Sequence, residues 1–175
     1  GVVPLDANNG YLNAGVFHQQ HFGKGFRWSA GLDIVAVVPR YRNVYIQQIY
    51  AELGYKSMLL SVGSKENRHS LWDHSLSSGD MVLSSNARPI PEIKLSMPEF
   101  TVVPLTKGWM QEKGDFAVGK SFDTKYLEDF SNGKQTYIKN VLWHHKSFYV
   151  RIKDTQNKFP LSGIIGVQHW AQWGG

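Results

Sequence analysis

Hydrophobic and polar residues alternate most regularly between positions 26 and 38. Alternate side chains of a β-strand point to opposite faces, so this pattern predicts a long strand with one apolar and one polar face. In strand conformation the segment is about 43 Å long. It is longer than a typical strand of a soluble protein and long enough to cross a bilayer at a tilt. The apolar parity contains Phe26, Trp28, Ala30, Leu32, Ile34, Ala36 and Val38, and the polar parity begins with Arg27, Ser29, Gly31 and Asp33.

Similar but weaker alternation recurs along the chain and predicts about eight strands in all, an all-β fold. Gly23-Lys24-Gly25 predicts a hairpin turn. Around Gly54-Tyr55-Lys56 the parity reverses, which requires either a turn or a bulge. Pro98 and Pro104 are expected to end strands, because proline cannot donate to a β-ladder. The other predicted strands lie within 11–22, 44–53, 57–63, 92–97, 109–121, 148–153 and 165–173.

Two segments lack periodicity and are predicted to be long polar loops, near 65–85 and 122–140. The second could include a helical turn at 126–130. At 175 residues the chain is expected to form a single unit.

The two-faced strands fit two architectures. In a soluble sandwich the apolar face would be buried between sheets, whereas in an outer-membrane barrel it would face lipid and the polar face would line the interior. The length of the 26–38 strand favours an antiparallel transmembrane β-barrel. Eight strands can close into a complete small barrel, so the strand count alone does not require a longer chain.

Composition narrows the classes of protein further. The chain has no Cys, so disulfides and thiolate metal sites are excluded, and no apolar run is long enough for a membrane helix. Lys and Arg outnumber Asp and Glu by 19 to 14, but the basic residues are dispersed, so no nucleic-acid partner is predicted. An aromatic content of 13% and 17 Gly agree with strands and tight turns.

No catalytic, metal or cofactor site is predicted. The chain contains no HExxH, Gly-x-Ser-x-Gly or phosphate-loop motif. His144 and His145 are adjacent on a strand and should diverge, which argues against a shared metal. Asp33 and Glu52 could resemble a carboxylate pair of a glycosidase, but a charge network with Arg27 or Arg151 is the favoured interpretation.

The polar parity also contains aromatic and amide side chains that could contact a glycan. Tyr50, Tyr149 and Trp170 lie on this parity, whereas Trp28 and Trp173 lie on the apolar parity and are expected to contact lipid or core. The full set of candidate residues facing the lumen or a glycan is Arg27, Asp33, Tyr50, Glu52, Tyr149, Arg151, Gln168, Trp170 and Gln172.

Residues 76–104, LSSGDMVLSSNARPIPEIKLSMPEFTVVP, combine small polar residues, an Asn-Ala-Arg-Pro-Ile-Pro turn and a strand closed by Pro. This stretch resembles the capsule assembly Wzi family of Gram-negative outer-membrane proteins. The resemblance extends over most of the chain and includes Gly54-Tyr55-Lys56, Ser61-Val62-Gly63-Ser64-Lys65, Thr106-Lys107-Gly108-Trp109, His144-His145-Lys146-Ser147 and Ala171-Gln172-Trp173-Gly174-Gly175.

The resemblance implies a non-enzymatic outer-membrane β-barrel with a plugged interior, which acts as a lectin and ties capsular polysaccharide to the cell surface. Wzi family members are considerably longer than this chain, so the chain would be a segment of a larger barrel, and no segment matches the helical plug. The implied partners are capsular or surface polysaccharide, outer-membrane lipid and the remainder of a longer barrel chain. A porin-like channel for small solutes and a soluble carbohydrate-binding β-sandwich are the alternatives.

Overall fold

A computed structural model describes residues 10–38, 44–66, 71, 88–122, 132, 139–154 and 160–174. The secondary structure within these ranges is β-strand, and they contain no helix that could cross a lipid bilayer. The strands are β1 (Gly10–Phe22), β2 (Phe26–Val38), β3 (Val44–Tyr55), β4 (Met58–Ser64), β5 (Glu92–Val102), β6 (Met110–Lys120), β7 (Leu142–Lys153) and β8 (Ser162–Trp173).

The strands form one antiparallel sheet in which each strand pairs with the next one along the chain. Its order is β1-β2-β3-β4-β5-β6-β7-β8, an up-and-down meander built entirely from neighbouring pairs. Within the described ranges, β1 and β8 each have a partner strand on one side only. The predicted all-β, antiparallel fold is confirmed, and β2 has the predicted bounds.

The two faces of the sheet differ in burial: most buried polar side chains lie on one face, together with buried Val35 and Ala117, and most large apolar side chains on the other face are exposed. We call the face carrying Leu32 of β2 the apolar face and the face carrying Asp33 the polar face. On the apolar face Val16 is 77% and Ile165 is 74% exposed, whereas on the polar face Asp33 is 7% and His145 is 1% exposed. Soluble domains normally show the reverse distribution. The alternation read from the sequence is therefore present in the sheet, and its apolar side is the more exposed one.

The two longest connections lie at the same end of the sheet. Because consecutive strands run in opposite directions, the connections alternate between ends. At one end, the turn end, the strands are joined by residues 23–25, 56–57, 103–109 and 154–161. At the other, the loop end, they are joined by 39–43, 65–91 and 121–141. The predicted loops 65–85 and 122–140, with the helical turn at 126–130, belong to the loop end and lie largely outside the described residues.

Two hairpin turns meet at the turn end. The predicted turn at Gly23-Lys24-Gly25 is confirmed, and both glycines adopt positive φ, 58° and 91°. The reversal around Gly54-Tyr55-Lys56 is a second hairpin turn rather than a bulge, with Lys56 at φ 52°. The Lys56 N–H donates to the Gly25 carbonyl at 2.8 Å, which connects the two turns.

Pro98 does not end a strand, contrary to the sequence prediction. β5 continues through it to Val102, and the pairing with β6 shifts register between Met97 and Thr101. Proline is tolerated at such an irregularity because no ladder hydrogen bond is required of it there. A second shift, between Asp33 and Ile34 of β2, leaves Gln47 of β3 as an extra residue.

Gly63 occupies a backbone position that favours glycine. Its φ is 116°, and a Cβ there would overlap the Ile49 carbonyl oxygen and lie 2.9 Å from Tyr50 Cα. Both obstacles are backbone atoms of the neighbouring strand, so a side-chain rotation cannot relieve them.

We expect Gly63→Ala to lower the free energy of unfolding by at least about 2 kcal/mol, because it combines a disfavoured φ with a backbone clash. Gly163→Ala is the matched control, since a Cβ at Gly163 meets nothing within 4 Å. It should change stability by no more than about 0.5 kcal/mol. Urea unfolding followed by tryptophan fluorescence measures both, and equal effects would contradict this account of the β4 backbone.

Candidate functional site

Strand register places every candidate residue from the sequence on the polar face. Glu52 lies opposite Ser29, and Tyr149 lies opposite Gly166. Along β8, Gln168, Trp170 and Gln172 have the same parity and lie opposite Ser147, His145 and Trp143. The face thus collects the set predicted from alternation: Arg27, Asp33, Tyr50, Glu52, Tyr149, Arg151, Gln168, Trp170 and Gln172.

Glu52 is the centre of a polar cluster on β2, β3 and β4. The hydroxyls of Ser29 and Ser61 donate to its carboxylate at 2.6 and 2.9 Å. Lys65, just after β4, donates at 2.8 Å, and its ammonium lies 4.5 Å from the centre of the Tyr50 ring. The Glu52 side chain is 7% exposed. Several donors thus compensate the loss of water around this buried carboxylate.

The predicted pairing of Asp33 and Glu52 with Arg27 or Arg151 is wrong. Asp33 instead accepts a hydrogen bond from the Asn13 amide at 2.6 Å. Arg27 lies opposite Gly54 and donates to the Lys56 carbonyl at 2.7 Å. Arg151 donates to Gln111 and lies 4.1 Å from the centre of the Phe100 ring. The register explains the difference, because it places neither arginine beside either carboxylate.

A second cluster, centred on His145, connects β5, β6 and β7. His145 Nδ1 lies 2.9 Å from Asp115 Oδ2, and His145 Nε2 lies 3.6 Å from Glu92 Oε2. Lys94 contacts the other Glu92 oxygen at 3.2 Å. The Ser147 hydroxyl donates to Asp115. Two carboxylates and two basic side chains therefore share one buried region, where charge neutralisation matters most.

His145 fits into the sheet because its cross-strand neighbour is small. It lies opposite Ala117, which leaves space for the imidazole between Asp115 and Glu92. His144 and His145 lie on opposite faces, as parity predicts, but parity alone does not mark His145 as a site residue. The missed signal was the continuation of the β7 alternation back through His145.

Aromatic side chains beside this cluster form a platform, defined here as Trp143, Tyr149 and Trp170. Trp143 and Trp170 stack on each other at 5.2 Å between ring centres, and His145 lies 5.1 and 4.4 Å from them. The Tyr149 ring lies over Gly166, where a Cβ would overlap it. Trp143 covers Gly119 in the same way. Glycines thus allow the rings to lie close to the sheet.

Amide groups border the platform at β8. Trp170 Nε1 donates to Gln168 Oε1 at 3.4 Å, and Gln168 Nε2 donates to the Tyr149 hydroxyl. Trp143 and Tyr149 are buried, whereas Trp170 is half-buried. Trp170 is therefore the platform ring most accessible to a ligand. Flat rings bordered by amides suit a partner that has both apolar faces and hydroxyls.

The arrangement around His145 differs from that of a nucleophile and its base. Ser147 donates to Asp115 and not to His145, so the hydroxyl is directed away from the imidazole. Within the described ranges, no group of three or more His, Asp or Glu side chains is placed to hold a metal ion. The polar contacts of the cluster pair its basic side chains with its carboxylates.

Comparison of the chain with protein-family models, curated proteins and solved structures yields no match. The resemblance to the Wzi family therefore stays a prediction from the sequence. The function has to be argued from the two faces of the sheet and from the side chains on each.

We expect Asp115→Asn to destabilise the protein by about 3 kcal/mol, because it removes one carboxylate of a buried charge cluster and leaves His145 with a weaker partner. Glu99→Gln, at an exposed position of β5, is the control and should cost no more than about 0.5 kcal/mol. Chemical unfolding measures both variants. Equal stability of Asp115→Asn and the unmodified protein would show that the His145 cluster contributes little to the fold.

Proposed function

We propose that the chain is a segment of a non-enzymatic outer-membrane β-barrel, similar to the Wzi family, that helps to retain capsular or other surface polysaccharide. The observation that carries this proposal is the inverted burial of the sheet. Large apolar side chains on the apolar face are exposed on all eight strands, for example Leu12, Leu32, Ile49 and Val167. An apolar surface of this extent indicates an apolar partner, and lipid is the partner that covers every strand alike.

Strand length supports a membrane location. β1 and β2 have 13 residues each, β4 has 7, and the others have 11 or 12. A tilted strand of about 9 to 11 residues crosses the hydrocarbon core of a bilayer. All strands except β4 reach this length.

The unequal lengths of the connections at the two ends of the sheet support an orientation of the sheet in the outer membrane. Such barrels have short periplasmic turns and longer extracellular loops. The turn end, with 23–25 and 56–57, would then face the periplasm, and the loop end, with 65–91 and 121–141, would face the cell exterior.

Aromatic residues on the apolar face cluster at the turn end, where an interfacial girdle is expected. Phe22 and Phe26 lie 5.6 Å apart between ring centres, and Phe26 and Tyr55 lie 4.5 Å apart. These rings follow the ends of three neighbouring strands, as a belt at the lipid boundary would.

The buried polar face supports a curved sheet with that face inside. Glu92 is only 8% exposed, which agrees with such a sheet, because in a barrel the polar side chains would cover one another across a narrow interior. The outer edges of β1 and β8 would be paired by strands from the remainder of a longer barrel, since unpaired edges are costly in lipid.

Polysaccharide retention is proposed from the platform and its amides. Trp170, bordered by Gln168 and opposite His145, offers a half-buried ring on which a sugar could stack. Gln172 lies one step nearer the loop end on the same face. A polysaccharide entering from the loop end would reach Gln172 before Trp170.

We expect Leu32→Arg, at the middle of β2 on the apolar face, to cost about 2 to 4 kcal/mol for folding into lipid vesicles, because a charge at mid-bilayer is poorly solvated. Gln19→Arg, on the polar face of β1, is the control and should fold nearly as well as the unmodified chain. Urea titration in vesicles measures both.

The same preparations distinguish the alternatives. A monodisperse monomer that needs no detergent would contradict a membrane protein and favour a soluble carbohydrate-binding module. Regular conductance steps in planar bilayers would favour a porin-like channel over a plugged anchor.

We expect Trp170→Ala to weaken binding to capsular polysaccharide from the producing organism roughly fivefold, the loss of about 1 kcal/mol of ring contact. Trp173→Ala is the control, because Trp173 lies on the same strand but on the apolar face. Surface plasmon resonance on immobilised polysaccharide measures both variants. No binding by the unmodified protein would overturn the polysaccharide part of the proposal.

A further inference from the structure

Apart from His18 of β1, the basic residues of the apolar face are concentrated in one region. Towards the loop end of β6, β7 and β8, this face carries a group that we call the basic patch: Lys120, His144, Lys146 and His169. Their parity is that of the apolar residues Phe116, Val118 and Phe148 on the same strands, so the patch lies on the side opposite the His145 cluster.

Pairing across β7 and β8 brings the centre of the basic patch together. Lys146 lies directly opposite His169. The His144 and His169 rings stack at 5.2 Å between centres, with Nε2 of His144 3.3 Å from Nδ1 of His169. The ring of Trp173, the last residue of β8, lies 5.2 Å from that of His144. Lys146 and His169 are exposed.

The patch has no acidic counterpart on its own strands. β7 and β8 contain no Asp or Glu. On β6, Asp115 belongs to the polar face, and Glu112 lies opposite Val150, towards the turn end. Lysines of the polar face behave differently, since Lys65 and Lys94 contact carboxylates. In the described part of the chain Lys146 makes no ion pair, so its charge is available to an external anion.

We propose that the basic patch binds the phosphate of an anionic lipid headgroup at the outer-leaflet surface, an inference that rests on the proposed membrane location. A lysine on a lipid-facing strand is costly at mid-bilayer but favourable where its ammonium reaches headgroup depth. Lys146 supplies that charge, and the imidazoles of His144 and His169 supply N–H donors. Trp173 has the amphipathic ring typical of the same depth.

A lipid fits this surface better than free phosphate because the patch is bordered by apolar side chains. Phe116 lies opposite Lys146, and Phe148 and Val167 follow towards the turn end. A headgroup held at the patch would direct its acyl chains along these residues. Free phosphate would gain the charge contacts but none of the apolar contact.

The test compares short-chain phosphatidylglycerol with short-chain phosphatidylcholine, titrated onto the full chain in nonionic detergent. We expect the unmodified chain to bind phosphatidylglycerol about tenfold more tightly, as expected for a basic site near headgroups. The combined His144→Gln, Lys146→Gln and His169→Gln variant should lose this preference. Lys24→Gln, in the turn between β1 and β2, is the matched control and should keep it. Lys146→Gln alone tests the same point if the combined variant does not fold.

Each other outcome overturns the inference in a recognisable way. Equal affinity for the two lipids, or a preference unchanged in the Lys146→Gln variant, would show that the patch does not select anionic headgroups. Saturation of the site by inorganic phosphate with the same affinity would show a free-anion site instead. A chain that enters vesicles of both lipids without preference refutes only the headgroup site. A chain that associates with neither detergent nor vesicles refutes the membrane location and the headgroup site together.

Discussion

The two-residue period of the strands is the constraint on which the rest of this structure depends. Every side chain must point to one of two faces, and one register error would exchange apolar and polar residues over a whole strand. The extra residue Gln47 in β3 shows how the constraint is met. Ile46 and Ile49 are three positions apart, yet both belong to the apolar face, because the register shift between them restores the alternation. The irregularity after Met97 lets β5 pass Pro98 and pair with β6 again at Thr101.

The polar face imposes a second requirement, because its side chains on the inner strands are largely buried. Charged groups there are compensated locally: Glu52 by Lys65 and two hydroxyls, and Glu92 and Asp115 by His145. Rings occupy the remaining space by lying over glycines, as Tyr149 does over Gly166. Charge compensation and close packing therefore act on the same face, and the apolar face remains available to an external apolar environment.

The sequence predicted the sheet better than it predicted the site. Alternation alone predicted both ends of β2 and assigned all candidate residues to one face. It could do so because parity is a local property of the sequence. It could not supply register, so it paired Asp33 and Glu52 with the wrong partners. The His145 cluster was missed for the same reason, because Glu92, Asp115 and His145 come from three strands and meet only once those strands are aligned.

The largest error in a predicted strand boundary is at the start of β7, where the basic patch lies. The alternation predicted a strand over 148–153, whereas β7 begins at Leu142. His144 and Lys146 hid that beginning, because they put polar residues on the apolar parity. Departures from a consistent pattern are expected where a position serves something other than folding. His144 and Lys146 both lie on the apolar face at the loop end, next to His169. These two departures from the alternation therefore belong to a single surface. A surface that is apolar over most of its length and basic near one end matches the profile of a lipid leaflet, apolar in its chains and anionic at its headgroups.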